Sequence, residues 1–247
     1  MRKDGFIITG IFLLLTGGCH PRYIPQKISY NDYQVSQAMS KDTVLLNLLQ
    51  PFGDSMGKQM NGVVGYVEST LLKEQPNSSL GNFIADAMLN MGSKKYGINV
   101  DVAFVNYGGV RLNDLPPGNI TKGKVFEIMP FDNVLELQKI KGSTLLDMLQ
   151  LIAGRNGWPV AGVTMQIADK KAIHIKVGGK DLDPGADYIV ANSDFVINGG
   201  DNVTLLKTIP VMNNGYLVRD AILDYIKELK SQGKNIAPGE IRISYAE

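Results

Sequence analysis

Cysteine occurs once in this 247-residue chain, as Cys19, and histidine twice, as His20 and His174. That supply is too small for a zinc site of Cys and His ligands, for a disulfide framework, or for Cys–His and Ser–His nucleophilic catalysis. Charge of one sign is equally scarce. Lys plus Arg number 25 against 24 Asp plus Glu, a formal net charge of +1, so there is no concentrated basic field to hold a nucleic-acid polymer. Long hydrophobic runs are missing too: Phe6 to Leu15 is about half the roughly 20 residues that cross a bilayer, and no later stretch does better. The signatures GxxxxGK[ST], GxGxxG and HExxH do not occur, which removes the P-loop, Rossmann and zincin readings. Glycine and proline follow no period, and a chain 44% hydrophobic and 20% charged is globular in composition, neither disordered nor collagenous. The length suits one large domain or two small ones.

What is present begins with a targeting segment. Arg2 and Lys3 open it, the short apolar run follows, and Thr16-Gly17-Gly18 supplies small residues before Cys19. This is the layout of a secretory signal peptide. The placing of the lone cysteine resembles a bacterial lipobox, with Thr16 where Leu is usual. Residues 1–18 are therefore expected to be a lipoprotein signal peptide and Cys19 the site of lipid attachment. Polar residues 19–40, with Pro21 and Pro25, form a tether, and residues 41–247 form the folded domain. The expected location is extracytoplasmic, on the periplasmic or cell-surface side of a bacterial membrane.

Along the domain, Val44, Leu45, Leu48 and Leu49 stand at helical spacing from Asp42 to about Met60, with Pro51 expected to end or kink that helix. Val63 to Val67 reads as a strand. Ser79 opens a helix that faces Leu80, Ile84, Ala87, Met88 and Met91 inward, and Val100 to Val105 has the continuous apolar run of a doubly buried strand. Val125 to Met129 suits a short helix, Val134 to Ile140 a strand, and Ser143 a helix cap. Alternation marks strands from Val163 and from Ile173, the latter turning at Gly178-Gly179. A strand at Tyr188 to Ala191, a helix from Val218 to Gly233 and a strand at Ile241 to Tyr245 complete the chain. Helices and strands interleave without strict alternation, which predicts an α+β fold, a single domain with a mixed sheet packed by helices.

Two glycine-bearing turns follow strands: Asn106-Tyr107-Gly108-Gly109-Val110-Arg111 and Asn198-Gly199-Gly200-Asp201. Glycine lets backbone come close to a ligand, Arg111 can fork onto phosphate oxygens, and Asp201 can accept hydroxyl hydrogens. The competing reading is two tight turns with solvated flanks. Phe131 and Phe195 lie in polar segments. Each either offers its ring to a flat ligand or anchors a loop in the core. His174 reads as solvated, and Asp86, inside a helix, as a structural hydrogen-bonding group.

Taken together, these segments resemble one family. Leu80-Gly81-Asn82-Phe83-Ile84-Ala85-Asp86-Ala87 is similar to the LGN-hydrophobic-IADA helix of 5'-nucleotidases. The turn at Asn106 to Arg111 resembles their NGGG[IV]R turn, Pro130-Phe131-Asp132-Asn133 their PFGN segment, and Asn198 to Asp201 their GGD turn. The likeness covers about Val44 to Ser244 and is to the C-terminal, substrate-binding domain. It implies that Phe131 and Phe195 sandwich a nucleobase, that Asn133 touches the base and that Asp201 holds the ribose hydroxyls. Asn106 and Arg111 would meet the nucleoside and phosphate side, with Gly108, Gly109, Gly199 and Gly200 shaping the turns. Tyr107 and Asp132 stand where the family has glycine, Asn202 follows Asp201 where glycine is usual, and Asn77 replaces a Glu. Upstream of Asn77, where the family often carries Arg, the chain has Lys73 and Glu74, so one phosphate-side contact of the family is expected to be missing.

Complete enzymes of this family begin with a metallophosphatase domain holding two divalent metals, and the DxH, GNHE and GHxH segments of that domain are not found here. The expectation is a nucleoside- or nucleotide-binding half of a 5'-nucleotidase-type phosphohydrolase in nucleotide catabolism. No catalytic residues or metals are expected in this chain; a separately encoded metallophosphatase would supply them. The alternative is a stand-alone nucleoside- or nucleotide-binding lipoprotein without catalysis.

Overall fold

The computed structural model describes residues 29–246 apart from 35, 37 and 38. The expected signal peptide, Cys19 and the first part of the expected tether lie outside the described residues. Contacts divide the chain between Leu48 and Leu49 into two units. In the first, the described residues before Asp42 form neither helix nor strand. Asp42 then accepts the backbone N–H groups of Val44 and Leu45 at 3.0 and 3.1 Å, the usual role of an acidic N-cap. Helix α1 (Thr43–Met60) runs through Pro51, where the sequence led us to expect an end or a kink. A proline removes one N–H and crowds the carbonyl four residues back, but every residue around it here is exposed, so the freed acceptor is not buried. No residue of α1 is buried.

The second unit is a mixed α/β domain built on a five-stranded sheet. In chain order its strands are β3 (Val102–Phe104), β6 (Leu135–Lys141), β7 (Val160–Ala161), β11 (Asp187–Ser193) and β12 (Val211–Met212). In space the order is β12-β6-β11-β3-β7. β6 and β11 are antiparallel, pairing Ile140 with Tyr188, whereas β11 and β3 are parallel, pairing Val190 with Val102. Successive side chains of a strand point to opposite faces. Val102 and Phe104 accordingly join one core cluster and Ala103 the other, and Val190 and Ala191 divide the same way.

One face is covered by α2 (Ser79–Tyr96), α3 (Lys122–Ile128) and α6 (Val218–Ser231). The other is covered by α4 (Gly142–Gly154) and a second sheet of β8 (Val163–Ala168), β9 (Lys171–Val177), β10 (Lys180–Asp181) and β13 (Ile243–Tyr245). The remaining strands form two ribbons: β1 (Val63–Val67) with β5 (Gly118–Thr121), and β2 (Leu71–Leu72) with β4 (Asp114–Leu115).

Most of the expected elements stand within a few residues of their predicted ends. One cap differs. Ser143 does not cap α4; the helix begins at Gly142 after Lys141, with no side-chain cap. Its first N–H groups are met instead by the carbonyls of Ala186 and Pro184, at 2.8 and 2.9 Å. Gly142 allows that approach, since a Cβ there would lie 2.9 Å from the carbonyl carbon of Asp183. The Leu80-Gly81-Asn82 motif proves to be structural. A Cβ on Gly81 would stand 2.6 Å from the Pro159 Cβ. Asn82, 3% exposed, accepts the Val160 N–H at 3.1 Å and donates to Asn77 at 2.9 Å. Asp86 pairs with Arg242 at 2.8 Å; burial raises its pKa, and the guanidinium partly offsets that.

A cleft at the strand ends

Strand direction decides where the glycine turns go. β3 and β11 run parallel, so the segments that leave their C-terminal ends, Asn106 to Arg111 and Asp194 to Asp201, emerge side by side. β6 is antiparallel to β11, so the segment that enters it, Phe131 to Val134, arrives at the same edge. Crevices outside the carboxyl ends of strands are common ligand sites in open α/β sheets.

A cleft of about 260 Å³ lies there, lined by eight of the residues singled out from the sequence. Asn106, Gly108, Gly109 and Arg111 come from the first turn, Phe131 and Asn133 from the second, and Phe195 and Asp201 from the third. The two phenylalanines are 38% and 45% exposed, so neither ring is a core anchor. Asn106 is nearly buried and donates through Nδ2 to Asp201 Oδ2 at 2.7 Å. This bond spans 95 residues of sequence and leaves Asp201 Oδ1 without a partner among the described hydrogen bonds. Asp201 and Asn202 hold φ of 51° and 56°, a left-handed conformation that short polar side chains adopt more readily than most.

Arg111 donates to the Gly108 carbonyl at 3.3 Å, and its guanidinium carbon stands 5.7 Å from the Phe131 ring centroid. Beside it, Lys73 Nζ lies 4.3 Å from the Tyr107 ring centroid. Burial and, to a smaller extent, the Arg111 charge lower the Lys73 pKa. Neither cation has a carboxylate within ion-pair reach among the described residues.

The glycines serve the site differently from the way their sequence suggested. Gly199 and Gly200 do not line the cleft. A Cβ on Gly200 would lie 2.5 Å from the Phe195 carbonyl oxygen and 2.6 Å from its Cδ1, so the bare backbone is the bed on which that ring rests. Gly109 does the same for Asn106, whose Oδ1 would be 2.6 Å from an added Cβ. Gly199 has φ of 98°, which favours glycine on conformational grounds.

Two residues that sequence reasoning did not single out organise the rim. Asp194 Oδ1 accepts the N–H groups of Val134 and Phe195 at 3.1 and 2.8 Å, while its own N–H donates to the Val134 carbonyl at 2.9 Å. One residue thus joins the segments that carry the two rings. Its negative charge, with burial as the larger cause, raises the pKa of Glu136, which Asn213 counters by a hydrogen bond. Arg219, at the start of α6, donates to Asp132 Oδ1 at 2.5 Å. An acidic residue just before a Phe was the only trace of Asp194 in the sequence; Arg219 left none, because its partner is 87 residues away.

Asp201 is the one carboxylate among the residues that line the cleft, and among the described residues there is no group of three or more His, Cys, Asp or Glu that could hold a metal ion. Among the described residues no helix is long and apolar enough to cross a membrane.

Comparison with known proteins places this geometry in a family. The model of the 5'-nucleotidase C-terminal domain matches residues 63–208. A 5'-nucleotidase of Vibrio cholerae is 29% identical over 205 residues, which make up 76% of this chain but 35% of the relative. Protein UshA of Yersinia enterocolitica is 27% identical over 78% of this chain and 36% of its own length. The chain therefore spans about a third of these curated relatives. Among solved structures, a 5'-nucleotidase precursor from Thermus thermophilus superposes with a TM-score of 0.68 at 27% identity, over 84% of this chain and 44% of that one.

Proposed function

The chain belongs to the family of 5'-nucleotidase C-terminal domains, and from that premise we propose that it binds a nucleoside or nucleotide in the cleft between Phe131 and Phe195. The observation that carries this reading is convergence: three segments distant in sequence bring two exposed rings, two amides, a guanidinium and a carboxylate to one cleft. A base stacks between the rings, an interaction of about 1–3 kcal/mol per stacked base. Asn133 meets the base edge. Asp201, held through Oδ2 by Asn106, accepts a ribose hydroxyl at Oδ1. The phosphate end points to Arg111, with Lys73 beside it. Two cations without carboxylate partners suit an anion better than a neutral nucleoside tail.

Hydrolysis in this proposal needs a second chain. Two metal ions would activate water and clamp the phosphate. A separate metallophosphatase would hold them, while this chain presents the nucleotide. Attachment to the membrane through acylated Cys19 keeps the binding half at the site of nucleotide catabolism. Multiple acyl chains hold a protein firmly where one gives only marginal binding.

The decisive measurement is calorimetry of adenosine and AMP on the purified protein. Saturable binding of both, tighter for AMP and weakened by salt, is expected. No binding of either refutes the reading. AMP turnover by the chain alone that EDTA abolishes, in a preparation free of other phosphatases, would refute the division of labour. A purified metallophosphatase that gains no activity from this chain would leave the stand-alone binding lipoprotein in its place. Lipid labelling that survives Cys19→Ser would refute the anchor.

A further inference from the structure

Arg219 does not line the cleft, yet it is organised around the segment that carries one of its rings. Its Nη2 donates to Asp132 Oδ1 at 2.5 Å, and its Nη1 reaches the carbonyl oxygen of Phe131 at 3.4 Å. Its guanidinium carbon lies 4.0 Å from the Phe126 ring centroid, a distance at which a cation is attracted to the face of the ring. The side chain of Arg219 is 11% exposed while that of Asp132 is 81% exposed, and Arg219 Nε is buried with no partner among the described atoms. As a device for stability this is poor. An exposed carboxylate contributes little to an ion pair, and burying the guanidinium costs solvation.

As a device for placement it is well made. The Val218 N–H donates to the Asn133 carbonyl at 2.9 Å and the Leu135 N–H to the Tyr216 carbonyl at 2.7 Å. The chain is thus pinned to the start of α6 at residues 133 and 135, but backbone bonds stop short of the ring. Arg219 extends the pinning to residues 131 and 132. A planar fork is suited to this, because two donors on one rigid group fix direction as well as distance.

We propose that Arg219 is a positioning residue that, through Asp132 and the Phe131 carbonyl, sets the Phe131 ring at the spacing from Phe195 that the ligand requires. The inference rests on the reading that Phe131 stacks on a ligand. It adds a determinant outside the cleft.

The test uses a readout that does not depend on the ligand. Trp158 is 4% exposed, so in a Phe131→Trp protein the new indole dominates quenching by acrylamide, which is uncharged and insensitive to the charges removed. In that background Asp132→Gly and Arg219→Lys should each raise quenching at least about twofold, and Asp132→Glu should restore most of the protection. In the wild-type background the first two changes should weaken adenosine binding by roughly three- to tenfold, as loosened support around a site does, with the urea midpoint of Asp132→Gly unchanged. Because Asp132 is exposed, that variant carries the test even if Arg219→Lys folds poorly. Unchanged quenching in Asp132→Gly overturns the proposal, as does a loss of affinity matched by an equal loss of stability. Wild-type protein that binds no adenosine refutes the ligand reading, while the quenching series still decides the strut.

Discussion

Replacing Gly200 by alanine should disable the cleft without touching a ligand. The added Cβ would stand 2.5 Å from the Phe195 carbonyl oxygen and 2.6 Å from its Cδ1, where carbon atoms prefer about 3.5–4.0 Å. About 1 Å must be found. The ring can move aside, but the carbonyl oxygen belongs to the backbone of α5 (Asp194–Ile197), so backbone must shift as well. Gly200 is not among the glycines with positive φ, and alanine's own conformation is therefore not the obstacle. Overpacking costs typically about 1–3 kcal/mol. The Phe195 ring is 45% exposed and can swing towards water, but the clash with its carbonyl oxygen remains, which puts the expected loss of stability near the upper end, at about 3 kcal/mol. Binding should suffer as well. Losing one stacked face removes about 1–3 kcal/mol, or roughly five- to more than a hundredfold in affinity. Calorimetry with adenosine beside urea unfolding separates the two effects, with Gly154→Ala as control, since the nearest atom to its added Cβ is 3.9 Å away. Wild-type affinity in Gly200→Ala with a measurable loss of stability would mean that Phe195 does not face the ligand, and the reasoning would fail.

Three further outcomes are expected. Phe131→Ala and Phe195→Ala should each weaken adenosine binding by about 1–3 kcal/mol and cost less stability than Phe104→Ala, a fully buried comparator for which about 3–5 kcal/mol is expected; heavy destabilisation with unchanged binding would make them core residues. Asn82→Ala strands the buried Val160 N–H and should cost about 1–3 kcal/mol in urea unfolding while leaving adenosine affinity alone; a binding loss at full stability would overturn its structural assignment. Burial raises the folded-state pKa of Asp86 and Arg242 partly counters this, so the ionised carboxylate is disfavoured by folding as pH rises through the carboxylate range. Arg242→Leu removes the counterweight. Its deficit against wild type should keep at low pH the part owed to the lost hydrogen bonds to the carbonyls of Asn82 and Val160, and should grow towards neutrality as Asp86 ionises; a deficit independent of pH would show that the pair's charge is not what Arg242 contributes.

Local pattern was enough to read the helix from Ser79, the alternating strands and both glycine turns, because periodicity and turn chemistry are properties of neighbouring residues. It could not find the two-residue strands β2, β4, β7 and β12, since two residues carry no period. It placed an end or kink at Pro51, where the exposed helix continues to Met60. The four family motifs were legible as well, but not what each one does: Leu80-Gly81-Asn82 packs α2 against Pro159 and Val160, whereas Phe131 and Phe195 stay partly in solvent. A phenylalanine in a polar turn is compatible with either fate, and only its tertiary neighbours choose. The cleft itself is a decision of topology. Residues 95 apart, Asn106 and Asp201, share a hydrogen bond because β3 and β11 are parallel and β6 antiparallel to them, which brings two strand exits and one strand entrance to the same edge. Hydrogen-bonding direction between strands is set by the whole sheet and its two cores, and no stretch of the sequence contains it.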